Sequence, residues 1–127
     1  MLLKNGIRVR NLNINDIESV FKLGQEILEW PTECVLWNEQ AVQWYYEYAK
    51  AVSFVAEKEK TLIGFILCFV VDATGRVEWV AVDNEFRQQG VASELLRRAL
   101  LVFRLSKVTQ VTTLSREDGY ANHFFIR

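Results

Sequence analysis

Cysteine is scarce in this chain of 127 residues, which has two, and histidine and proline occur once each. Two well-separated thiols do not form a disulfide framework, so we expect a protein of the reducing cytoplasm. The first six residues have neither the length nor the apolar core of a secretory signal peptide. The longest apolar run, residues 62–71, is about half of a membrane-spanning length. We therefore expect a soluble protein with no membrane partner.

An excess of charge of either sign is also lacking, because the formal net charge is −1. Nucleic-acid-binding domains usually have a basic excess, so we expect no nucleic-acid partner. Hydrophobic residues make up 50% and charged residues 24%, which is an ordinary globular balance. The length suits one domain with one core over residues 1–127.

Hydrophobic periodicity predicts the order strand, helix, helix, three strands, helix, strand, helix. The strands are predicted at 7–12, 53–57, 62–72, 76–82 and 110–114. The helices are predicted from Ile17 to Trp30, after the capping residue Asn38, over 90–105 and from Gly119 onward. A three-strand meander followed by a strand–helix–strand crossover predicts an α/β fold. Its sheet should be mixed and mostly antiparallel, flanked by helices, with segment 62–72 at the centre because it is apolar almost throughout.

The second predicted helix has an unusual number of aromatic side chains. Ala41, Trp44, Tyr45 and Tyr48 recur at helical spacing. Aromatic residues in a row along one helix face could stack on a ligand, but core packing is the better interpretation of this spacing. We therefore expect these rings to lie in the core.

The segment 80–93 combines the end of a strand, a polar turn and the start of a helix. The first turn of a helix has unpaired N–H groups and the positive end of the helix dipole. Gly90 and Ala92 would let a phosphate approach this backbone without meeting a side chain. Arg87 adds a permanent positive charge. Further donors are available from Gln88, Gln89 and Ser93. This arrangement predicts a binding site for a diphosphate.

In this segment the chain resembles the GNAT N-acetyltransferase superfamily. The hexapeptide Arg87-Gln88-Gln89-Gly90-Val91-Ala92 matches the signature Arg/Gln-x-x-Gly-x-Gly/Ala, and residues 80–86 match the strand and turn that precede it. The resemblance implies the GNAT acyl-CoA N-acyltransferase fold and acetyl-CoA as co-substrate. It implies that backbone groups at Val80, Ala81 and Val82 pair with the pantetheine arm. The pyrophosphate would be held by Arg87, Gln88, Gln89, Gly90, Val91, Ala92 and Ser93.

The resemblance also implies transfer of the acetyl group to a primary amine by direct attack in a ternary complex. An amine with a pKa near ~10.4 is mostly protonated at pH 7, so a carboxylate has to take its proton, directly or through water. We predict Glu78 as this base. It lies on the strand of the proposed coenzyme contacts, and strict alternation puts it on the same side as Val80 and Val82. The alternative is a strand-edge glutamate in water or paired with Arg76.

The group that would protonate the leaving thiolate is open. GNAT members often have a tyrosine on the last helix, and Phe125 occupies its place in the predicted helix. Phenylalanine cannot donate a proton. Tyr120 and His123 are the local substitutes, or they are helix-packing or surface residues. The alternative function is therefore a sensor or subunit domain that binds acetyl-CoA without catalysis. A purely structural α/β domain would require the phosphate-binding pattern to be a coincidence.

The acceptor and the chain end complete the prediction. Glu29 and Glu33 fall where GNAT members have their acceptor-binding loop, and they either attract a cationic amine or are two solvated acids. The acceptor is a small-molecule or protein amine, and no metal site is predicted.

The chain stops part-way through the predicted last helix, so we expect a C-terminally incomplete domain that lacks the superfamily's C-terminal strands. Strand 110–114 would then have an unpaired edge, either covered in a homodimer or next to a truncated or poorly ordered C-terminus.

Overall fold

A computed structural model of the chain describes residues 4–27, 37–114 and 121–125. The strands in these ranges are β1 (Ile7–Asn11), β2 (Phe54–Lys58), β3 (Thr61–Val71), β4 (Thr74–Val82), β5 (Gln110–Leu114) and β6 (Ala121–Phe125). The helices are α1 (Ile17–Ile27), α2 (Glu39–Ala49) and α3 (Val91–Leu105). The predicted elements up to β5 are confirmed, with ends that differ by a few residues.

The described strands form one sheet in the chain order β1 to β6. Neighbouring strands are antiparallel, except that β4 and β5 are parallel and are connected through α3. The mixed, mostly antiparallel sheet and the parallel crossover are therefore as predicted. An asparagine cap precedes each of the first two helices. The Asn38 side chain accepts from the N–H of Ala41 at 2.8 Å before α2, and Asn13 forms a capping box with Asp16 in the 3-10 turn Ile14–Asp16 that leads into α1.

The helices cover both faces of the sheet. Phe69 of β3 meets Trp44 of α2, whereas Val70 is paired with Gly75, which lies under Phe103 of α3. Because adjacent residues of a strand point to opposite faces, α2 and α3 lie on opposite sides of the sheet. Residues 63–68 of β3 are buried between the two layers. The predicted central position of this strand is confirmed.

The buried face of α2 differs from the predicted one. Its buried residues are Val42, Tyr45 and Ala49, whereas Trp44 is 42% and Tyr48 is 71% exposed. The expectation that Trp44 and Tyr48 lie in the core is therefore wrong. The row of buried residues along α2 is offset from the predicted row by one residue, or about 100° around the helix axis. Both rows contain Tyr45, so spacing alone could not distinguish them.

The C-terminal part of the sheet contradicts two predictions. Residues 121–125 form β6, so the helix predicted from Gly119 is wrong. β6 pairs antiparallel with β5, from Gln110↔Phe125 to Leu114↔Ala121. The predicted unpaired edge of β5 is therefore also wrong, and the argument for a homodimer that covers it falls. The segment is too short to establish a helical period, and pairing as a strand satisfies the backbone groups of β5. The extent of the domain stays a prediction.

One further prediction concerns burial. Cys68 is fully buried in β3, and this burial raises the pKa of its thiol, so it is a small hydrophobic residue as predicted. None of the helices in the described ranges combines the length and the apolar character required to cross a bilayer.

Candidate functional site

Strand β4 separates from its parallel neighbour halfway along its length. The β4–β5 pairing runs from Thr74↔Gln110 to Val77↔Thr113 and stops there. β4 continues to Val82, still paired with β3 on its other side. Within the described part of the chain, residues 78–82 therefore have a strand neighbour on one side only. The open side presents backbone N–H and C=O groups to which an extended ligand can bind as a strand does.

A β-bulge lies at the point where β4 and β5 diverge. Leu67 of β3 pairs with Trp79 and Cys68 pairs with Val77, so Glu78 has no opposite residue. The extra residue shifts the alternation of side chains along β4 by one position. Strict alternation of side chains therefore does not hold across this point.

The bulge puts Glu78 on the opposite face from Val80 and Val82. We call the side of the sheet that α3 covers the α3 face, and the opposite side the α2 face. Val82 pairs with Gly64, and a Cβ at Gly64 would meet Val91 at the start of α3. Val80 and Val82 therefore point to the α3 face. Glu78 instead accepts a hydrogen bond from Arg76 Nε at 3.2 Å. The predicted common side is therefore wrong.

Arg76 shows which face Glu78 shares. Arg76 is paired with Phe69, and its guanidinium carbon lies 5.6 Å from the centroid of the Phe69 ring. Phe69 contacts α2, so Arg76 and Glu78 lie on the α2 face. Tyr45 of α2 is within electrostatic range: burial and the negative charge of Glu78 raise the pKa of Tyr45, while a hydrogen bond with Trp79 lowers it. The hydroxyl of Tyr45 is therefore protonated at neutral pH.

A cavity of about 440 Å³ opens between the end of β4 and the start of α3. All predicted coenzyme-binding residues except Gln89 line it: Val80, Ala81, Val82, Arg87, Gln88, Gly90, Val91, Ala92 and Ser93. The side chain of Gln89 instead accepts from Asn5 Nδ2 at 3.2 Å and donates to the carbonyl of Glu85 at 3.5 Å. Glu78 is not in the lining. The roles of these residues in binding stay predictions.

Two lining residues were not found from the sequence. Ile27 is the last residue of α1 and lines the cavity. The apolar periodicity of a helix does not indicate which of its residues will border a cavity. Phe86 is an apolar residue inside an otherwise polar turn, next to Arg87, and this contrast was a usable signal.

The start of α3 is shaped for an anion. Gly90 caps the helix with φ of 79°, in the left-handed region that favours glycine, and it offers no capping side chain. A Cβ at this position would meet no heavy atom within 4 Å, so the approach to the helix start is open. The first N–H groups of a helix have no partner within it, and they carry the positive end of the dipole. Arg87 is exposed and forms no ion pair with another described residue. Together these features fit a diphosphate.

The remaining predicted site residues fall into two groups. Glu29, Glu33 and Tyr120 lie outside the described residues. His123 and Phe125 lie in β6, where the backbone registers are His123↔Thr112 and Phe125↔Gln110. Because β6 is not a helix, the match of Phe125 to a helical tyrosine has no structural support.

A family model described as "Acetyltransferase (GNAT) family" matches residues 21–125. The chain therefore belongs to the GNAT acetyltransferase family. No curated protein matches the chain.

Solved structures with the same fold include acetyltransferases bound to coenzyme A. The chain is similar to Ard1 from Thermoplasma volcanium, with a TM-score of 0.71 and 26% identity, over 89% of this chain and 74% of that one. It is similar to diaminobutyrate acetyltransferase EctA from Paenibacillus lautus, in complex with L-2,4-diaminobutyric acid and coenzyme A (TM-score 0.75, 21% identity, 86% of this chain and 65% of that one). A GNAT family acetyltransferase from Brucella melitensis, in complex with acetyl-CoA, has a TM-score of 0.75 and 15% identity over 95% and 88% of the two chains. The predicted GNAT fold is confirmed.

Proposed function

We propose that the chain is an N-acetyltransferase that moves the acetyl group of acetyl-CoA to a primary amine by direct attack in a ternary complex. The observation that carries the proposal is the cavity between β4 and α3, where an open strand edge meets a helix start suited to a diphosphate. Membership of the GNAT family supports acetyl transfer in general. Two of the similar structures contain coenzyme A or acetyl-CoA, which supports the choice of donor.

The chain's own residues would hold the donor in an extended form. Among the described residues, no strand pairs with residues 78–82 on the side that faces away from β3, and backbone groups there can pair with the amides of a pantetheine arm. The N–H groups of Val91, Ala92 and Ser93, together with Arg87, can hold the diphosphate. Acetyl-CoA supplies the activated thioester.

Glu78 is the proposed base because it lies where β4 and β5 diverge, at the inner end of the open strand edge. Its side chain is 16% exposed, so water or an amine can still reach the carboxylate. The amine would approach from the α2 face, lose its proton to Glu78 directly or through water, and attack the thioester carbonyl. The C–S bond then breaks, and coenzyme A leaves as a thiolate that takes up the second proton of the amine. Arg76 fixes the orientation of the carboxylate through its Nε.

The acceptor is proposed to be a small-molecule or protein amine. EctA was solved with diaminobutyric acid. A chain of the NatC complex has the same fold, with a TM-score of 0.77, and that complex was solved with a Gag peptide. Glu29 and Glu33 are proposed to attract the cationic amine, on the sequence argument alone. A cytoplasmic location likewise stays a prediction.

One observation favours a second function. Glu78 is outside the cavity lining and is already paired with Arg76, so the site could bind acetyl-CoA without activating an amine. The second candidate is therefore a sensor or subunit domain that binds the coenzyme and does not catalyse.

Thermal unfolding with and without acetyl-CoA tests the binding site. A ligand that binds only the folded state raises the melting temperature by mass action. Gly90→Glu should abolish this rise, because it puts a bulky anion where the diphosphate is held. Gly90→Ala is the control: it imposes a similar left-handed backbone strain but adds only a methyl group, and it should keep most of the rise. An undiminished rise in Gly90→Glu would put the coenzyme elsewhere.

Steady-state kinetics with a panel of amines separates the two functions. Release of the coenzyme thiol, followed at varied concentrations of both substrates, should give the intersecting patterns of a ternary complex. Coenzyme binding without turnover on any amine would instead favour the sensor.

A further inference from the structure

Gly64 of β3 lies directly beneath the cavity without lining it. A Cβ at this position would meet the carbonyl oxygen of Ala81 at 3.1 Å, Val91 Cγ1 at 3.3 Å and Val82 Cγ2 at 3.4 Å. All three contacted residues line the cavity. The first residue of α3 therefore approaches the sheet closely at this glycine.

A second glycine has a matching position at the other end of the same helix. A Cβ at Gly75 of β4 would meet three ring carbons of Phe103 at 2.8–2.9 Å. Phe103 lies near the C-terminal end of α3 and does not line the cavity. The two glycines therefore lie under the two ends of α3, and only Gly64 lies under the end that borders the cavity.

A methyl group at Gly64 has no easy way to be accommodated. The Ala81 oxygen belongs to the backbone of β4, which is held in register with β3. Val91 is 2% exposed and β-branched, and a valine in a helix strongly prefers one side-chain rotamer. The added group would therefore displace the start of α3 or the end of β4 by a few tenths of an ångström. Hydrogen bonds from several backbone amides to one diphosphate are sensitive to such displacements.

We infer that Gly64 is a positioning residue for the coenzyme site: it lets the first turn of α3 lie against β3 and β4 at the separation that the diphosphate requires. The inference rests on the proposed function, since it concerns the same site. It assigns to β3 a role in coenzyme affinity that the cavity lining does not reveal.

The test compares Gly64→Ala with Gly75→Ala by calorimetric titration with coenzyme A. Overpacking at Gly64 should weaken coenzyme binding about tenfold and raise the KM for acetyl-CoA, with the KM for the amine unchanged. Gly75→Ala is the matched control, because its methyl group meets an even shorter contact under the same helix. It should lower the melting temperature at least as much, yet leave the dissociation constant of coenzyme A within about twofold.

A second variant keeps the inference testable if Gly64→Ala does not fold. In Gly64→Ala/Val91→Ala the Cγ1 atom of the valine is gone, so this double variant should fold. It should bind coenzyme A more weakly than Val91→Ala alone, because the contact of the added methyl group with the Ala81 oxygen at 3.1 Å remains.

The inference is overturned if Gly64→Ala binds coenzyme A like the wild type, if Gly75→Ala loses as much affinity, or if the double variant binds coenzyme A as tightly as Val91→Ala. These results would leave the proposed function intact, provided that the wild type binds coenzyme A. A wild-type chain that does not bind coenzyme A would instead refute the proposed function.

Discussion

At the scale of single residues, Glu78 combines three properties that its neighbours on β4 do not share. It is the unpaired residue of the β-bulge, it lies where β4 and β5 diverge, and its carboxylate is held by Arg76 Nε at 3.2 Å. A bulge re-aims a side chain relative to a regular strand, and such irregularities occur next to active sites. The geometry of Glu78 therefore suits the proposed base, which would act on the α2 face beside a donor bound along the open edge.

We expect Glu78→Gln to lower turnover at pH 7 by roughly a hundredfold, with coenzyme binding nearly unchanged, because the amide cannot take a proton from the amine. The loss should shrink as the pH rises and free amine becomes abundant. Turnover measured from pH 7 upward, together with titration by coenzyme A, checks both statements.

Glu57→Gln is the matched control for this prediction. Glu57 also lies on a strand, is 20% exposed and is paired with an arginine, Arg10 at 3.3 Å. Glu57 does not line the cavity, so the same change of charge there should leave turnover unchanged. Full activity of Glu78→Gln at pH 7 would remove Glu78 from the mechanism.

The difference between Glu78 and residues 87–93 shows what the sequence can predict about the site. The segment that starts α3 is contiguous, and its proposed phosphate-binding groups are backbone amides, so a local pattern is enough to locate it. Gln89 is the exception, because its side chain is held by Asn5, which is distant in sequence. The face of Glu78 depends on how β4 pairs with β3, and no local pattern reports a bulge.

At the scale of elements, the first turn of α3 contains a charge interaction of its own. Arg97 Nε donates to both carboxylate oxygens of Glu94, at 2.8 Å each. Hydrogen bonding by Arg97 lowers the pKa of Glu94 below its ordinary value of 4.5, although burial opposes this. An acid near the N-terminus of a helix also interacts favourably with the helix dipole.

We expect this interaction to make the stability of the protein depend on pH. A carboxylate whose pKa is lower in the folded state contributes stability above its unfolded pKa, and this contribution is lost as the pH falls through the folded value. The free energy of unfolding of Glu94→Gln should therefore fall less steeply than that of the wild type between about pH 5 and about pH 3. Urea unfolding at a series of pH values measures both slopes.

Glu18→Gln is the control at this scale. Glu18 and Lys22 also form a helical ion pair, at 2.8 Å, but both side chains are well exposed. Solvent and salt screen such a pair, so its removal should change the slope less. Equal slopes for the wild type and Glu94→Gln would contradict the prediction.

The elements themselves were predictable where a pattern was long. Segment 62–72 and helix 90–105 have enough apolar positions to define both type and burial, and the structure has β3 and α3 there. The predicted buried face of α2 differs from the observed one by one residue, because aromatic rings occur on both the buried and the exposed side of the helix. Residues 121–125 were assigned to a helix because five residues cannot define a period, and pairing with β5 decided their form.

At the scale of the whole molecule, β6 completes the described sheet beside β5. Every residue from Gln110 to Leu114 has a partner in β6. On its other side β5 pairs with β4 from Gln110 as far as Thr113. Removal of β6 would therefore leave β5 with one complete edge of unpaired backbone groups.

We expect a chain that ends at Leu114 to self-associate, because an unpaired edge strand is a template for pairing with another chain. Its apparent mass in light scattering should exceed that of one chain and rise with concentration. A chain that ends at Phe125 keeps β6 and should associate less. A shortened chain that is monomeric and stably folded would show that β6 does not protect the edge.

The parallel pairing of β4 with β5 has a consequence for how the protein folds. β2, β3 and β4 are joined by tight turns, whereas β5 reaches β4 only after the whole of α3. Pairings between residues distant in sequence form slowly, because the loop between them has to close first. We therefore expect the pairing of β4 with β5, and with it the divergence of the two strands beside the cavity, to form late in folding. A coenzyme bound there stabilises the native state more than the transition state, so it slows unfolding and leaves the folding rate unchanged.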